Sequence, residues 1–278
     1  KDLRYAVYNG KSFAIEVVDG NGPIVNDYAD IVRVRTSSDV SVANACIATA
    51  STVQVFYRDE TQGVLLGAVK TKTSSWQYEL VDGDRKTDDR TTGDVAFHLD
   101  ALFDGKETVL LYDSILTINT RKEATSGAIR VAKRTGLAAS SWRYQTLDTS
   151  GDAISVVGYD VAIHKGARGI IATWLTSSIL TLPKAEQIRW AYLGAPTVFT
   201  TLPPTNYGTP SKFLSSDGKT TAFNCQERLC AIDISKKTIS LVSKEQSSDG
   251  IDSTWIVLNK VRNLIAGVGN QLISLRPL

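Results

Sequence analysis

The chain has 278 residues, and its 31 Lys and Arg against 29 Asp and Glu give a formal net charge of +2. That length can bury a large core, while the balanced charge argues against a basic stripe for nucleic acid. No apolar stretch approaches the ~18 residues that span a bilayer, so we expect no membrane insertion. The chain contains no Met, from which we expect a processed or excised piece of a longer product.

One four-stranded β unit repeats along most of the chain. The chain opens with two strands, Leu3–Ala6 and Lys11–Asp19, that match the last two strands of the later units. In a full unit, strand A begins at an aspartate and strand B ends at an aromatic residue. Strand C follows, and strand D ends at an aspartate. The predicted A strands begin at Asp39, Asp94 and Asp160, and the B strands end at Tyr57, Tyr112 and Trp174.

Burial explains the composition of these strands. Inner strands that are covered on both faces read as continuous apolar runs. Strand D alternates instead, as in Trp76, Tyr78 and Leu80, because one of its faces meets water. A sheet with two apolar faces cannot stand alone, and radial stacking of such sheets around a channel buries both. The sequence therefore predicts an all-β fold, a single β-propeller domain over residues 1–278 with four-stranded blades.

The units become shorter after Leu202. One more unit is predicted at 212–216, 220–224, 229–235 and 238–243, and three further strands at 254–258, 264–268 and 272–275. The chain begins with strands C and D and ends without a following strand D. We therefore expect the N-terminal hairpin to close a ring with the C-terminal strands. Five or six blades fit this arrangement, and six is slightly favoured.

The best-preserved repeat segments are Leu110–Asp113, Gly127–Ala132 and Ser141–Asp148. Their pattern resembles that of bacterial surface and secreted β-propellers of the broad sialidase-like and lectin-like type, over about the first 200 residues. The resemblance implies the propeller fold. It implies no single activity, because that group contains enzymes, glycan binders and adhesion modules.

The repeated aromatic residues allow two interpretations. Tyr57, Tyr112 and Trp174 occupy one repeat position, which is typical of packing between blades. The alternative is a set of glycan-stacking sites, because sugars combine apolar C–H faces with hydroxyls that need directed hydrogen bonds. This alternative predicts ligand binding by Tyr57 with Asp59, by Tyr112 with Asp113, and by Trp174.

The only two histidines, His98 and His164, stand at the same place in two successive repeats. Together with Asp94 and Asp160 they could bind a metal. Two histidines alone do not make a site, so strand-end histidines satisfied by backbone groups are favoured. We predict no metal and no cofactor.

Cys225 and Cys230 flank a four-residue turn. If their strands pair as a hairpin, a disulfide can form, which would indicate an oxidising compartment. The alternative is two reduced thiols. Cys46 lies in an apolar run and is predicted to be a small buried residue.

No catalytic set is apparent. A sialidase-type hydrolase needs three arginines around one carboxylate, but Arg4, Arg130 and Arg189 recur at one repeat position, which repeat structure explains better. The sequence favours a non-catalytic binding or adhesion module, secreted or on a cell surface, that recognises a glycan or a protein partner. A sialidase-like glycoside hydrolase and a structural subunit of a larger extracellular assembly are the alternatives.

Overall fold

The computed structural model describes the chain except residues 25–27, 29–34, 85–88, 93, 119, 121–123, 150–154, 167, 179–186, 195–199, 202–214, 217–218, 226–227, 234–235, 237, 242–251, 259–260, 269–270 and 276–278. The described residues are nearly all β and form antiparallel sheets in which the strands follow one another in chain order. None of them belongs to a helix long and apolar enough to cross a membrane. The chain divides into two compact units, residues 1–116 with 130–146, and residues 117–129 with 147–278.

The first unit holds a two-stranded sheet, a four-stranded sheet and most of a second four-stranded sheet. The two-stranded sheet is β1 (Leu3–Tyr8) and β2 (Phe13–Asp19). The first four-stranded sheet is β3 (Val40–Ala48), β4 (Thr52–Asp59), β5 (Val64–Thr71) and β6 (Gln77–Asp82). The second is β7 (Val95–Phe103), β8 (Glu107–Ile118), β9 (Ala124–Thr135) and β10 (Arg143–Thr149), with a short 3-10 turn at Ala139–Ser141.

The second unit holds two four-stranded sheets and one three-stranded sheet. The first is β11 (Ser155–Gly166), β12 (Gly169–Ser178), β13 (Gln187–Tyr192) and β14 (Thr200–Thr201). The next is β15 (Ser215–Ser216), β16 (Thr220–Cys225), β17 (Arg228–Asp233) and β18 (Thr238–Leu241). The last is β19 (Asp252–Leu258), β20 (Val261–Val268) and β21 (Gln271–Leu275).

The predicted repeat is confirmed strand by strand. Strands A to D of the first full unit are β3 to β6, and those of the next two units are β7 to β10 and β11 to β14. The irregular C-terminal segments also form the predicted strands over the residues that the structure describes, while 212–214, 234–235 and 242–243 lie outside them. Among the described residues, β1 and β2 make a sheet of their own, so ring closure, the number of blades and the single domain stay predictions.

Strand A carries a bulge at the same place in three sheets. Two residues of strand A pair normally, and the three residues between them, 41–43, 96–98 or 158–160, stand opposite one residue of strand B. The flanking pairs are Val40–Asp59 and Asn44–Tyr57 in β3, Val95–Ser114 and Leu99–Tyr112 in β7, and Val157–Thr176 and Val161–Trp174 in β11. A bulge bends a strand and redirects its side chains, so these positions differ from the regular alternation.

The aromatic residues at the start of strand D pack on the preceding sheet. Trp76 lies edge-on to Tyr5 of β1 with ring centroids 5.7 Å apart, and Trp142 lies edge-on to Phe56 of β4 at 5.8 Å. Such T-shaped pairs add about 0.5–1.5 kcal/mol beyond the area that they bury. The same type of contact therefore joins consecutive sheets of the first unit.

The cysteines behave differently from one another. Cys46 is free and exposed, so the prediction of burial was wrong. The buried hydrophobic side chains of β3 are those of Val40, Ala43 and Ile47. Cys46 is out of phase with Ala43 and Ile47 on a strand of period two. In the β16–β17 hairpin, Cys225 pairs with Arg228 and Cys230 with Phe223. The hairpin is confirmed, while the disulfide between Cys225 and Cys230 stays a prediction.

Candidate functional site

The aromatic residues at the end of strand B lie in the core. Tyr57, Tyr112 and Trp174 are each 0 % exposed, and each donates its polar hydrogen to the aspartate that ends strand D of the preceding sheet. The donor–acceptor distances are 2.6 Å for Tyr57 to Asp19, 2.6 Å for Tyr112 to Asp82, and 2.9 Å for Trp174 to Asp148.

An arginine completes each of these contacts. Arg130 Nε lies 3.0 Å from Asp82, and Arg189 lies 2.8 Å from Asp148. In the sheet of β3 to β6, the residue equivalent to these arginines, opposite Tyr57, is Leu66. Arg35, from the segment before β3, binds Asp19 instead. We call these groups the aspartate clusters; they comprise Asp19 with Tyr57 and Arg35, Asp82 with Tyr112 and Arg130, and Asp148 with Trp174 and Arg189.

The clusters have the properties of structural sites. Asp82 is fully buried and also accepts hydrogen bonds from the backbone nitrogens of Gly83 and Thr91, at 2.8 and 2.7 Å. A buried carboxylate is tolerated when charge and hydrogen bonds compensate its lost hydration. The packing interpretation therefore describes the aromatic residues in this structure. A sugar could stack on them only if the rings became exposed.

The two carboxylates predicted beside the aromatic residues bind other groups. Asp59 is buried and accepts the backbone nitrogens of Thr61 and Gln62, both at 2.9 Å, so it shapes the turn between β4 and β5. Asp113 accepts the backbone nitrogen of His98 at 2.9 Å and lies 3.2 Å from Nδ1 of the same residue. The structure therefore brings Asp113 together with a histidine rather than with Tyr112.

Burial of the tyrosines predicts that the protein loses stability at alkaline pH. Burial raises the pKa of Tyr144 to about 12, and burial and the nearby Asp82 raise the pKa of Tyr112 well above its ordinary value. The unfolded chain releases tyrosine protons from about pH 10, while the folded chain retains them. Each such tyrosine should therefore cost about 1.4 kcal/mol of stability per pH unit from about pH 10 up to its own raised pKa.

Urea unfolding of the wild type and of Tyr112→Phe between pH 8 and pH 12 checks this prediction. The variant should start less stable, because it lacks a hydrogen bond to Asp82, and should lose stability less steeply above about pH 10. Parallel pH profiles for the two proteins would contradict the assignment.

The bulge of β7 is the second arrangement of polar and aromatic groups, and it lies within the first unit. Two non-glycine residues adopt left-handed backbone conformations there, Asp94 with φ 52° and Ala96 with φ 61°. Such conformations cost of order 1–3 kcal/mol and concentrate at functional sites. The strain therefore marks the bulge as a candidate site.

A buried arginine supports the aromatic residue in the middle of this bulge. The guanidinium carbon of Arg58 lies 3.6 Å from the centroid of the Phe97 ring, which is a cation–π contact. Arg58 also donates to Glu60 at 2.9 Å, to the carbonyl oxygen of Val95, and to Asp94 at 3.4 Å. The side chain of Arg58 is only 4 % exposed, whereas that of Asp94 is 55 % exposed. The bulge therefore combines a buried cation beneath Phe97 with an accessible carboxylate.

The two histidines are not equivalent, contrary to the sequence comparison. His98 lies in the bulge of β7, next to the pair Leu99–Tyr112, whereas His164 pairs with Ile171, three residues before Trp174. The position of His98 is taken by Asp160 in β11. The similar segments Asp94–His98 and Asp160–His164 are not structurally equivalent, because the bulge comprises residues 96–98 in β7 and residues 158–160 in β11. A backbone group was expected to satisfy the histidines, but the Asp113 carboxylate contacts His98.

Sequence reasoning missed Arg58 and Phe97. Neither residue recurs in the other units: the residue equivalent to Phe97 in β3 is Val42, and the residue equivalent to Arg58 in β8 is Asp113. Similarity between the units therefore gives no sign of either residue. The one available signal was the exception itself, an aromatic residue and a charge that interrupt otherwise matching units. Among the described residues, no group of three or more His, Cys, Asp or Glu is placed to hold a metal ion.

No family model matches the sequence, and no curated protein matches it. Solved structures do match. One is a thermostable family-43 glycoside hydrolase, with TM-score 0.50 and 8 % identity over 84 % of this chain and 87 % of that chain. An exo-1,5-alpha-L-arabinanase from a bovine ruminal metagenomic library has TM-score 0.44 and 10 % identity over 83 % and 91 %. Aleuria aurantia lectin has TM-score 0.45 and 10 % identity over 86 % and 79 %.

The fold is that of a β-propeller. The predicted β-propeller fold class is thereby confirmed. The resemblance to propellers of the broad sialidase-like and lectin-like type is confirmed at the level of the fold. At identities this low the likeness concerns the fold alone, because one propeller scaffold hosts many activities.

Proposed function

We propose that this propeller is a non-catalytic, lectin-like binding or adhesion module, secreted or displayed on a cell surface, with a glycan or a protein as its partner. The observation that supports it most is the use of the repeated polar residues. Asp82 and Asp148, with Arg130 and Arg189, are paired in aspartate clusters that each join one sheet to the next. The arginines that a sialidase would need around one carboxylate are thus each bound to a separate aspartate. Recognition is therefore assigned to the surface loops of the scaffold, where binding residues commonly lie.

A glycan array followed by calorimetry on the hits tests this function. A binding module should bind glycans with a stable stoichiometry and release them unchanged, as mass spectrometry of the recovered ligand would establish. Turnover of the bound glycan, or of aryl arabinosides and sialosides, would contradict the non-catalytic role and favour the hydrolase. Retained binding of a protein partner in the absence of any glycan signal would reject the lectin-like version only.

A structural subunit is a second candidate, favoured by the outer face of β2. Phe13 and Ile15 are 65 % and 64 % exposed, whereas the equivalent Trp76 and Tyr78 are 6 % and 5 % exposed against the preceding sheet. The side chain of Arg4, at the repeat position of Arg130, is also 64 % exposed. The face therefore fits a sheet of a neighbouring protein whose last strand ends in an aspartate, because such an aspartate binds each equivalent arginine.

Sedimentation of the native material and of Ile15→Glu separates this candidate from a free monomer. A structural subunit should sediment as a complex that the buried charge disrupts, and Leu137→Glu, at another exposed apolar residue, should leave the complex intact. A monomeric native protein would remove the candidate.

A further inference from the structure

We propose that the bulge of β7 is a saccharide-binding site specific for neutral sugars, in which Phe97 is the stacking surface and Asp94 the accessible hydrogen-bond acceptor. The inference rests on the proposed binding function and assigns it a place and a ligand class. It uses only residues of the first unit, between the end of β4 and the middle of β8.

The ring of Phe97 is held in advance of any ligand. Arg58 is buried beneath it, and Glu60, the carbonyl of Val95 and Asp94 fix the guanidinium from separate directions. Phe97 itself is partly exposed. A ring that is already ordered gives up little conformational entropy on binding, which favours affinity in a small contact. Aromatic rings of this kind suit the apolar C–H face of a pyranose or furanose.

The bulge supplies polar groups beside the ring. Asp94 precedes the bulge by one pair and exposes more than half of its side chain, and carboxylate oxygens are strong acceptors for sugar hydroxyls. His98 is next to Phe97 in the chain, and Asp113 holds both its backbone nitrogen and its ring. The backbone is strained at Asp94 and Ala96, and bulges with such strain redirect side chains beside functional sites in other sheets.

The charges at the bulge select the ligand class. Glu60 and Asp94 bind the guanidinium of Arg58 that contacts the ring, so its positive charge is paired and buried. A third carboxylate, that of Asp113, contacts His98, the next residue in the chain. An anionic sugar such as a sialic or uronic acid would be repelled by these carboxylates. A neutral saccharide would avoid this repulsion and still use the carboxylates as acceptors. The site should therefore prefer neutral glycans.

Phe97→Val is the sharpest variant, because Val42 occupies the same position in the bulge of β3. A valine is therefore compatible with that backbone, while the stacking surface is lost. Phe103→Ala is the matched control, since Phe103 is an exposed aromatic residue at the other end of the same strand. Asp94→Asn tests the acceptor by a second route, should Phe97→Val unfold; thermal melts identify that case.

The readout is affinity for array-selected neutral and sialylated oligosaccharides, measured by calorimetry. We expect neutral ligands to bind, Phe97→Val to weaken them about tenfold, and Phe103→Ala to change them less than twofold. Binding that is unaffected by Phe97→Val and Asp94→Asn would overturn the site and leave the proposed function standing. Preference for sialylated ligands would overturn the ligand class. The absence of glycan binding by the wild type would overturn both this site and the lectin-like function.

Discussion

Replacing Asp82 by alanine should destabilise the protein by about 3–5 kcal/mol, the usual cost of removing one partner of a buried ion pair. Asp82 is fully buried and accepts hydrogen bonds from Arg130, Tyr112 and two backbone nitrogens. Alanine leaves the guanidinium of Arg130 without its carboxylate and the Tyr112 hydroxyl without its acceptor. Urea unfolding followed by tryptophan fluorescence measures the loss.

Two further variants separate charge from packing. Tyr112→Phe removes one neutral donor and should cost only about 1–2 kcal/mol. The double variant Asp82→Leu with Arg130→Met removes both charges, so it should be more stable than Asp82→Ala, because apolar replacement of a buried pair is often neutral. An Asp82→Ala protein within 1 kcal/mol of the wild type would show that the cluster does not hold the sheets together.

The strands and the positions of the cluster residues were predictable from the sequence, but their partners were not. The aspartate at the end of strand D and the aromatic residue at the end of strand B both recur visibly. Their contact joins one sheet to the next, over 38 residues for Asp19 with Tyr57 and 30 for Asp82 with Tyr112. Local periodicity reports which face of a strand is buried, and it carries no information about a partner at that distance.

Arg35 illustrates a second limit of repeat reasoning. In the first full sheet Leu66 replaces the arginine of strand C, and a search for the repeat registers only a weaker copy. The structure conserves the interaction rather than the position, because Arg35 reaches Asp19 from a different segment. It also lies over the Tyr78 ring, 3.4 Å from the centroid. A buried aspartate needs a compensating cation, and the residue that provides it can come from a different segment in each cluster.

The bulge of β7 escaped prediction for a geometric reason. In each strand A, three residues stand opposite one residue of strand B. The alternation of side chains after the bulge is therefore not predictable from the sequence before it. Aligning Asp94–His98 with Asp160–His164 by letters therefore matched positions that differ in space. Phe97 gains its role from Arg58, which belongs to the preceding sheet, and no local pattern joins the two residues.

A repeated ion pair gives the second large prediction, because the structure contains it in a buried and an accessible version. Arg134 binds Glu79 at 2.6 Å and Gln54 at 2.7 Å, and its guanidinium lies 4.4 Å from the centroid of the Trp142 ring. At the same repeat positions, Lys70 binds Glu16 at 2.6 Å. The Arg134 and Glu79 side chains are 0 % and 3 % exposed, against 30 % and 38 % for Lys70 and Glu16.

Burial should decide the cost of losing each cation. Arg134→Met leaves Glu79 buried without its charge partner and should destabilise the protein by about 3–5 kcal/mol. Lys70→Met leaves Glu16 where water can solvate it, so we expect a loss of about 0.2–1 kcal/mol. Methionine keeps much of the apolar stem in both variants, and urea unfolding compares them under identical conditions. Adding Glu79→Gln to Arg134→Met should recover part of the loss, since the amide carries no charge that burial penalises. Equal losses for the two methionine variants would mean that the contact geometry, and not burial, sets the strength of this repeated pair.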